Sequence, residues 1–524
     1  MSGKACLMGA GLVVVSALAY LPVNWAGFLW DDPSYLLDNP TIKDPAGLRR
    51  IFLSPLASPQ YYPMVFAGFW AEYRLWGFDP LGYHRVNVAF HACNAVMAWR
   101  AARRLVPSGA WLAGAIFALH PVHVESVAWI AERKNVQSTF FTLASLLAYW
   151  RFAPPDGPPS RSRAAWHGLA FLLYLGALGS KTVACSLPAA ILVIGWARRG
   201  RVGLVDVGPL VPFFVAGLAA GSLTAWLEKH HVGASGPEWA IPPVDRALIA
   251  GRALWFYAGK LAWPAGLCFI YPRWRVDPRV GWQWAFPIAA VTVVAGLWAA
   301  RARVGRGPLA GVLCFAGVLL PALGFFDIYP MRFSFVADHF QYLASLGLIV
   351  PAAAALAALA RRIGRPGAVA LATLLMALGG ATFARSRAFR DAETIWSDTL
   401  ATNPGSWIAA NNLGTLRLNR GEPEQARPHF EAALRLEPDY VEALSNLGTA
   451  LELLDRLPEA EAHLVHALRV RPDYWRAHYA LGRVRKKQGR DVDAAAEFRR
   501  TLQIRPDHRG ARLELRVVAP DGPR

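Results

Sequence analysis

The sequence predicts an all-α protein in two parts: a polytopic membrane bundle of about eleven spans, then an α-solenoid of tetratricopeptide repeats. Three observations carry this. The 524 residues are 54% hydrophobic and only 17% charged, too little charge to cover a soluble surface of that size. Apolar runs near the 20 residues needed to cross a bilayer recur as far as residue 384. Beyond it, small and aromatic residues return at a fixed interval of 34.

The apolar runs lie at 4–24, 84–104, 109–127, 134–152, 165–180, 183–198, 204–226, 282–300, 308–326, 338–360 and 366–384. The first, with Lys4 ahead of it and no small-residue cleavage site behind, reads as an uncleaved transmembrane helix. Short basic clusters end several of the others: Arg100, Arg103 and Arg104; Arg198, Arg199 and Arg201; Arg361, Arg362 and Arg365. Such clusters mark cytoplasmic ends, so the net charge of +19 is a membrane signature and nucleic acid is not an expected partner. With Lys4 inside, loop 25–83, the 120–135 turn and Lys181 fall outside. The run 245–265 is broken by Arg246, Arg252 and Lys260. Reading it as an interfacial helix, with Trp255, Tyr257 and Trp263 at headgroup level, keeps Arg301, Arg303 and Arg306 inside. The C-terminal domain is then extracytoplasmic, against the grain of Arg385, Arg387 and Arg390. High Arg, Ala and Gly content with short loops points to a bacterial inner membrane. Cys6, Cys93, Cys185, Cys268 and Cys314 stand singly, without metal or redox spacing.

From residue 385 to 524 the composition is that of a soluble domain. Pro404, Pro438, Pro472 and Pro506 keep the 34-residue register, as do Gly414, Gly448 and Gly482, Ala426, Ala460 and Ala494, and Phe430, Leu464 and Phe498. That period, with small residues where two helices cross, is the tetratricopeptide repeat. Ala392 and Trp396 fit a half-repeat over 389–402. Arg483, Arg485, Lys486, Lys487 and Arg490 read as a solvated helix end.

Candidate chemistry sits in the outer segments. Asp31 and Asp32 follow the first span. Carboxylates there suit a general base for an acceptor hydroxyl, with the neighbour orienting the acceptor or a cation; a turn or cap before Pro33 is the structural alternative. Tyr35 and Tyr61-Tyr62-Pro63 offer aromatic surfaces for sugar or peptide. The turn from His120 to Asn135 carries Glu125, Glu132, Arg133 and Lys134, and its cations suit a phosphate, unless they pair with Glu125 and Glu132. His120 and His123 lack further ligands for zinc. Lys181 stands in Gly179-Ser180-Lys181-Thr182, which lacks the first glycine and the strand of a nucleotide loop. Arg332 and His339 supply two more cationic groups before a later span. The metal requirement stays open, a divalent cation being compatible with the acidic pair.

The acidic pair, the His-Pro-x-His-x-Glu…Glu-Arg-Lys turn, the Ser-Lys turn, the Ala337-Asp338-x-x-x-Tyr342-Leu343 segment and the terminal repeats occur in this order along nearly the whole chain. The ordered set resembles the transmembrane-and-tetratricopeptide O-mannosyltransferase-like proteins, membrane glycosyltransferases of the GT-C class. The resemblance implies inverting transfer of a sugar, mannose in the family's name, from a polyprenyl phosphate to a protein hydroxyl on the extracytoplasmic face. Asp31 then resembles the catalytic acidic residue of the first outer loop. The family's Ala-Asp-Arg-Tyr reads Ala337-Asp338-His339-Phe340 here, so His339 replaces an arginine. A membrane-anchored scaffold whose repeats recruit envelope proteins is the non-enzymatic alternative.

Overall fold

The computed structural model describes residues 3–519, apart from 235, 237 and 238. Residues 520–524 of the expected repeat domain lie outside the described residues. The chain divides into two compact units, Met1–Thr394 and Ile395–Arg524. Among the described residues all regular structure is helical.

Thirteen helices frame the first unit: α1 Gly3–Ala19, α2 Pro63–Trp76, α3 Pro80–Leu105, α4 Ala110–Leu119, α5 Arg133–Phe152, α6 Ala164–Leu178, α7 Leu187–Arg199, α8 Val211–Leu227, α9 Pro243–Ala262, α10 Ala285–Val304, α11 Gly307–Leu319, α12 Leu346–Ile363 and α13 Arg365–Ser386. Each expected span holds one of them. Among the described residues four helical stretches are long and apolar enough to cross a membrane, namely Leu204–Val232, Gly281–Val304, Leu346–Ile363 and Arg365–Phe389.

Local chemistry sets the helix ends. Asp79 caps α3 by accepting from the Leu81 amide at 3.0 Å, with Pro80 in the first turn. Arg103 and Arg104 in its last turn complement the dipole. α7 stops at Gly200, whose φ of 79° is left-handed. Gly311 and Gly347 let α11 and α12 cross closely, since a Cβ at Gly311 would stand 2.4 Å from the Gly347 carbonyl oxygen.

Two expectations need correction. α4 has ten residues, about 15 Å of helix and half a hydrocarbon core. Its chain turns at His120-Pro121, and the whole stretch from Ala113 to Thr139 is buried. The 120–135 segment is therefore interior structure instead of a surface turn. The run 245–265 does form a helix, and Trp255 and Trp263 are exposed. Tyr257 is fully buried, however, and its hydroxyl accepts from the Ala337 amide at 3.2 Å. It serves the core and not a headgroup layer.

The second unit is built of helix pairs in the predicted register. Trp407–Asn419 pairs with Pro423–Leu436, Val441–Leu453 with Leu457–Val470, and Trp475–Lys487 with Asp491–Ile504. Phe430, Leu464 and Phe498 are fully buried against Gly414, Gly448 and Gly482. A Cβ on Gly482 would meet the Phe498 ring at 2.5 Å, which explains the period of small residues. The basic run of the last repeat is paired: Arg483 and Lys487 reach Glu452 at 2.7 Å, Lys486 reaches Glu514 at 2.7 Å, and Arg485 and Arg490 reach Glu461.

Candidate active site

A cavity of about 330 Å³ in the first unit gathers five of the eight candidate residues, together with Glu132. Asp31, Glu125, Glu132, Lys134, Lys181 and His339 line it, with Trp30, Tyr35, Gln60, Tyr62, Trp129, Asn135 and Glu228. They come from six separate chain segments, so the bundle as a whole builds the site.

The acidic pair divides its labour. Asp32 is fully buried and faces inward. Its Oδ2 accepts from the Leu29 amide and its Oδ1 from the Ala131 amide, each at 2.7 Å. It therefore closes its own turn and binds the 29–32 loop to the segment leading to Glu132. Burial, opposed by those two hydrogen bonds, pushes it up to about 8. Asp32 thus holds a turn before Pro33, as in the structural alternative, without capping the short helix that follows. Asp31 instead opens into the cavity. Burial raises it to about 6, with Lys134 and His339 pulling the other way and Glu132 adding to the rise. Just before it, Trp30 holds φ at +26°, a costly conformation for a non-glycine residue. Its ring is stacked on Trp129 at 5.8 Å and 10°, which fixes the loop from the side.

Two lysines flank Glu132. Lys134 Nζ lies 2.8 Å from its Oε1, and Lys181 Nζ lies 3.8 Å from its Oε2. Asn135 holds the same carboxylate and accepts from Lys181 at 2.7 Å. Burial alone would raise Glu132, but His339, Lys134 and Lys181 hold it at about 2. Lys181 is lowered by burial to about 8, with Glu132 and Glu125 partly restoring it. His339 Nδ1 bonds Glu125 at 2.8 Å, and its amide donates to the other Glu125 oxygen at 3.2 Å.

Arg133 and Arg332 do not line the cavity. Arg133 is fully buried on the far side of its helix start, where its guanidinium pairs with both Glu72 oxygens and donates to the Tyr83 carbonyl at 2.9 Å and to Asn87. The expected phosphate contact gives way to an internal ion pair, because residues adjacent at a helix N-terminus point about 100° apart. Arg332 lies over the Phe333 ring at 6.0 Å.

Sequence reasoning missed Gln60, Glu72 and Glu228. The Tyr35 hydroxyl donates to Gln60 at 2.5 Å, Gln60 donates to Glu228 at 3.3 Å, and Glu228 accepts from the Tyr329 amide at 3.1 Å. The charged run Glu228-Lys229-His230-His231 closing an apolar stretch was the available signal. Among the described residues no group of three or more His, Cys, Asp or Glu could hold a metal ion.

An apolar groove of about 480 Å³ runs between α3, α5, α7, α11 and α12, past Ala98, Leu146, Ile194, Gly311 and Val350. Leu343 lines both groove and cavity.

Residues 411–465 and 456–509 match the family model described as tetratricopeptide repeat. A protein O-mannosyl-transferase of Caenorhabditis elegans is 25% identical over 459 residues, covering 82% of this chain and 62% of its own length. The protein O-mannosyl-transferase TMTC3 of Mus musculus is 23% identical over 82% of this chain and 51% of its own. The chain thus spans less than two thirds of either relative. Among solved structures, MamA matches 24% of this chain and 69% of its own at 24% identity, with a TM-score of 0.23. Over most of its length, the chain resembles the transmembrane-and-tetratricopeptide O-mannosyltransferase-like proteins.

Proposed function

We propose that this chain is a membrane glycosyltransferase that moves a sugar, mannose by analogy with the relatives' names, from a polyprenyl phosphate to a protein hydroxyl. The observation that carries this reading is Asp31, open to a cavity that also holds Lys134, Lys181 and His339. A base and a cationic cluster in one pocket are what an inverting displacement needs. The acceptor oxygen attacks the anomeric carbon and passes its proton to Asp31. The bond from that carbon to the phosphate oxygen breaks, and the electron pair leaves with the polyprenyl phosphate. Its added negative charge falls beside Lys181, Lys134 and His339. A carboxylate near 6 is ionised at neutral pH and still basic enough to take the proton. Trp30, Trp129, Tyr35 and Tyr62 give the sugar apolar faces, and the adjoining apolar groove suits an isoprenoid tail.

The repeats are assigned to the protein acceptor, and the chain to a bacterial inner membrane with Lys4 inside and the repeats outside. A reporter active only outside the cytoplasm, fused after residue 524, should be active; activity of a cytoplasmic reporter alone would overturn the orientation. The catalytic reading is tested by incubating purified protein with polyprenyl-phosphate mannose and a Ser/Thr peptide. An α-linked peptide product from a β-linked donor supports inversion. Retained configuration, or hydrolysis without transfer, contradicts it.

A further inference from the structure

At the other end of α5 from the candidate active site lies a second, open pocket of about 550 Å³. Lys134 and Asn135 line the cavity at the start of this helix, and Trp150 and Arg151 line the pocket in its last turn. At 1.5 Å per residue, Lys134 and Trp150 stand about 24 Å apart along the axis, most of the thickness of a hydrocarbon core. The two sites therefore face opposite headgroup layers. Under the orientation proposed above, the pocket faces the inner one.

Three chain segments build it. Arg104 stands in the last turn of α3, Trp150 and Arg151 in that of α5, and Arg163 just ahead of α6, which carries Trp166. The Ser160 amide donates to the Phe152 carbonyl at 3.0 Å, closing the connecting loop. That returns Arg163 to α5, where its guanidinium donates to the Arg151 carbonyl at 3.2 Å. Arg151 lies over the Trp166 ring at 4.1 Å and Arg104 over the Trp150 ring at 5.8 Å, so the indoles hold these cations in place. The one carboxylate in the lining, Asp156, is taken by Arg198 at 2.6 Å. Arg104, Arg151 and Arg163 are exposed, and among the described residues none of the three has an acidic partner. A cluster of one sign in a concave site makes a local positive field.

The sugar donor does not account for this cluster. An isoprenoid tail reaching down the apolar groove from Leu343 brings no charge to this end. Trp150 lines both the pocket and the groove, so a cationic site runs directly into apolar surface, a layout that suits an amphiphile. A guanidinium fork matches two oxygens of one phosphate, and basic pockets between membrane helices take anionic headgroups. We propose that this pocket holds the phosphodiester head of one anionic phospholipid, with Arg104, Arg151 and Arg163 around its oxygens and Trp150 and Trp166 against its glycerol end. A zwitterionic lipid presents the same phosphate but brings an ammonium among three guanidiniums, so the pocket selects a head with net negative charge. The site is independent of sugar transfer.

The test is native mass spectrometry of the purified full chain in neutral detergent, titrated with phosphatidylglycerol or with phosphatidylcholine of the same acyl chains. One phosphatidylglycerol should bind in preference to phosphatidylcholine. Removing a basic residue from such a site weakens an anionic lipid about fivefold, so Arg104→Gln with Arg151→Gln should weaken phosphatidylglycerol about 25-fold and leave phosphatidylcholine unchanged. Arg361→Gln with Arg362→Gln removes the same charge from an exposed cluster elsewhere and should leave the affinity as it is. If the first variant does not accumulate, Arg104→Lys with Arg151→Lys keeps the charges that set topology, removes both forks, and must still weaken phosphatidylglycerol about fivefold. Equal affinity for the two lipids overturns the proposal, as does an equal loss in the Arg361 and Arg362 variant, which would mean general attraction to basic surface. Undiminished binding in the variants of Arg104 and Arg151 overturns it too. Displacement of the lipid by sn-glycerol 3-phosphate at similar concentration would make this a site for free phosphate and overturn the lipid assignment.

Discussion

Replacing Asp31 by asparagine keeps the side chain's shape and removes its ability to take a proton. The carboxyl sits near 6 because burial raises it and Lys134 and His339 pull it down. At pH 7 a group near 6 is roughly nine-tenths ionised, so almost every wild-type molecule carries the base. Losing a positioned general base costs about 10²- to 10⁴-fold in rate, or about 3–5 kcal/mol of barrier. Stability should change little, within about 0.5 kcal/mol, since Asp31 faces the cavity and its neighbours act on it through charge. The assay is peptide mannosylation by detergent-solubilised protein at matched amounts, with kcat and KM for donor and acceptor separated. The expected result is a collapse of kcat with donor binding retained. A well-accumulating Asp31→Asn variant with wild-type kcat would refute the argument and leave the pair as structural.

Four further outcomes follow from the same geometry. Asp32→Asn forfeits one of two buried amide hydrogen bonds, so it should lower thermal stability by about 1–3 kcal/mol, read as a drop in the unfolding midpoint of the purified protein. Arg133→Ala strands Glu72 in the interior and should cost about 3–5 kcal/mol; accumulation in membranes should fall, with no specific rise in donor KM in the protein that remains. The wild-type acid limb of kcat against pH should rise through about 6 as Asp31 loses its proton, and donor KM should rise above about 8 as Lys181 loses its charge; in Lys181→Arg the upper change should disappear. In the repeats, Gly482→Val forces a side chain against Phe498 and should destabilise that unit by about 1–3 kcal/mol, measured by circular dichroism melting of a 395–524 fragment, which should itself be soluble and strongly helical.

The repeats were legible because each helix pair must bury a large residue against a small one at the same place, and chain distance preserves that rule. Gly448 against Leu464 and Gly482 against Phe498 obey it directly. The apolar runs were legible for the same kind of local reason, although hydropathy could not show that α4 stops after ten residues. The site was legible in its ingredients and not in its directions. Lys134 faces the cavity while Arg133 beside it turns to Glu72, and no charge count separates two adjacent cations. Asp31 and Asp32 pose the same problem, and only the amides of Leu29 and Ala131 decide which one is structural. Glu72 and Glu228 lie 61 and 101 residues from the groups they hold, a separation that helix spacing cannot bridge.

Protein glycosylation at the cavity around Asp31, as proposed above, has a direct cellular readout. Glycopeptide mass spectrometry on cells carrying the wild-type gene, the Asp31→Asn gene or neither tests it most directly. Hexose is expected on Ser and Thr of a defined protein set in wild-type cells only, with the variant matching the deletion despite normal accumulation. Identical hexose modification in all three strains would contradict the claim and favour a membrane-anchored scaffold whose repeats bind proteins without modifying them.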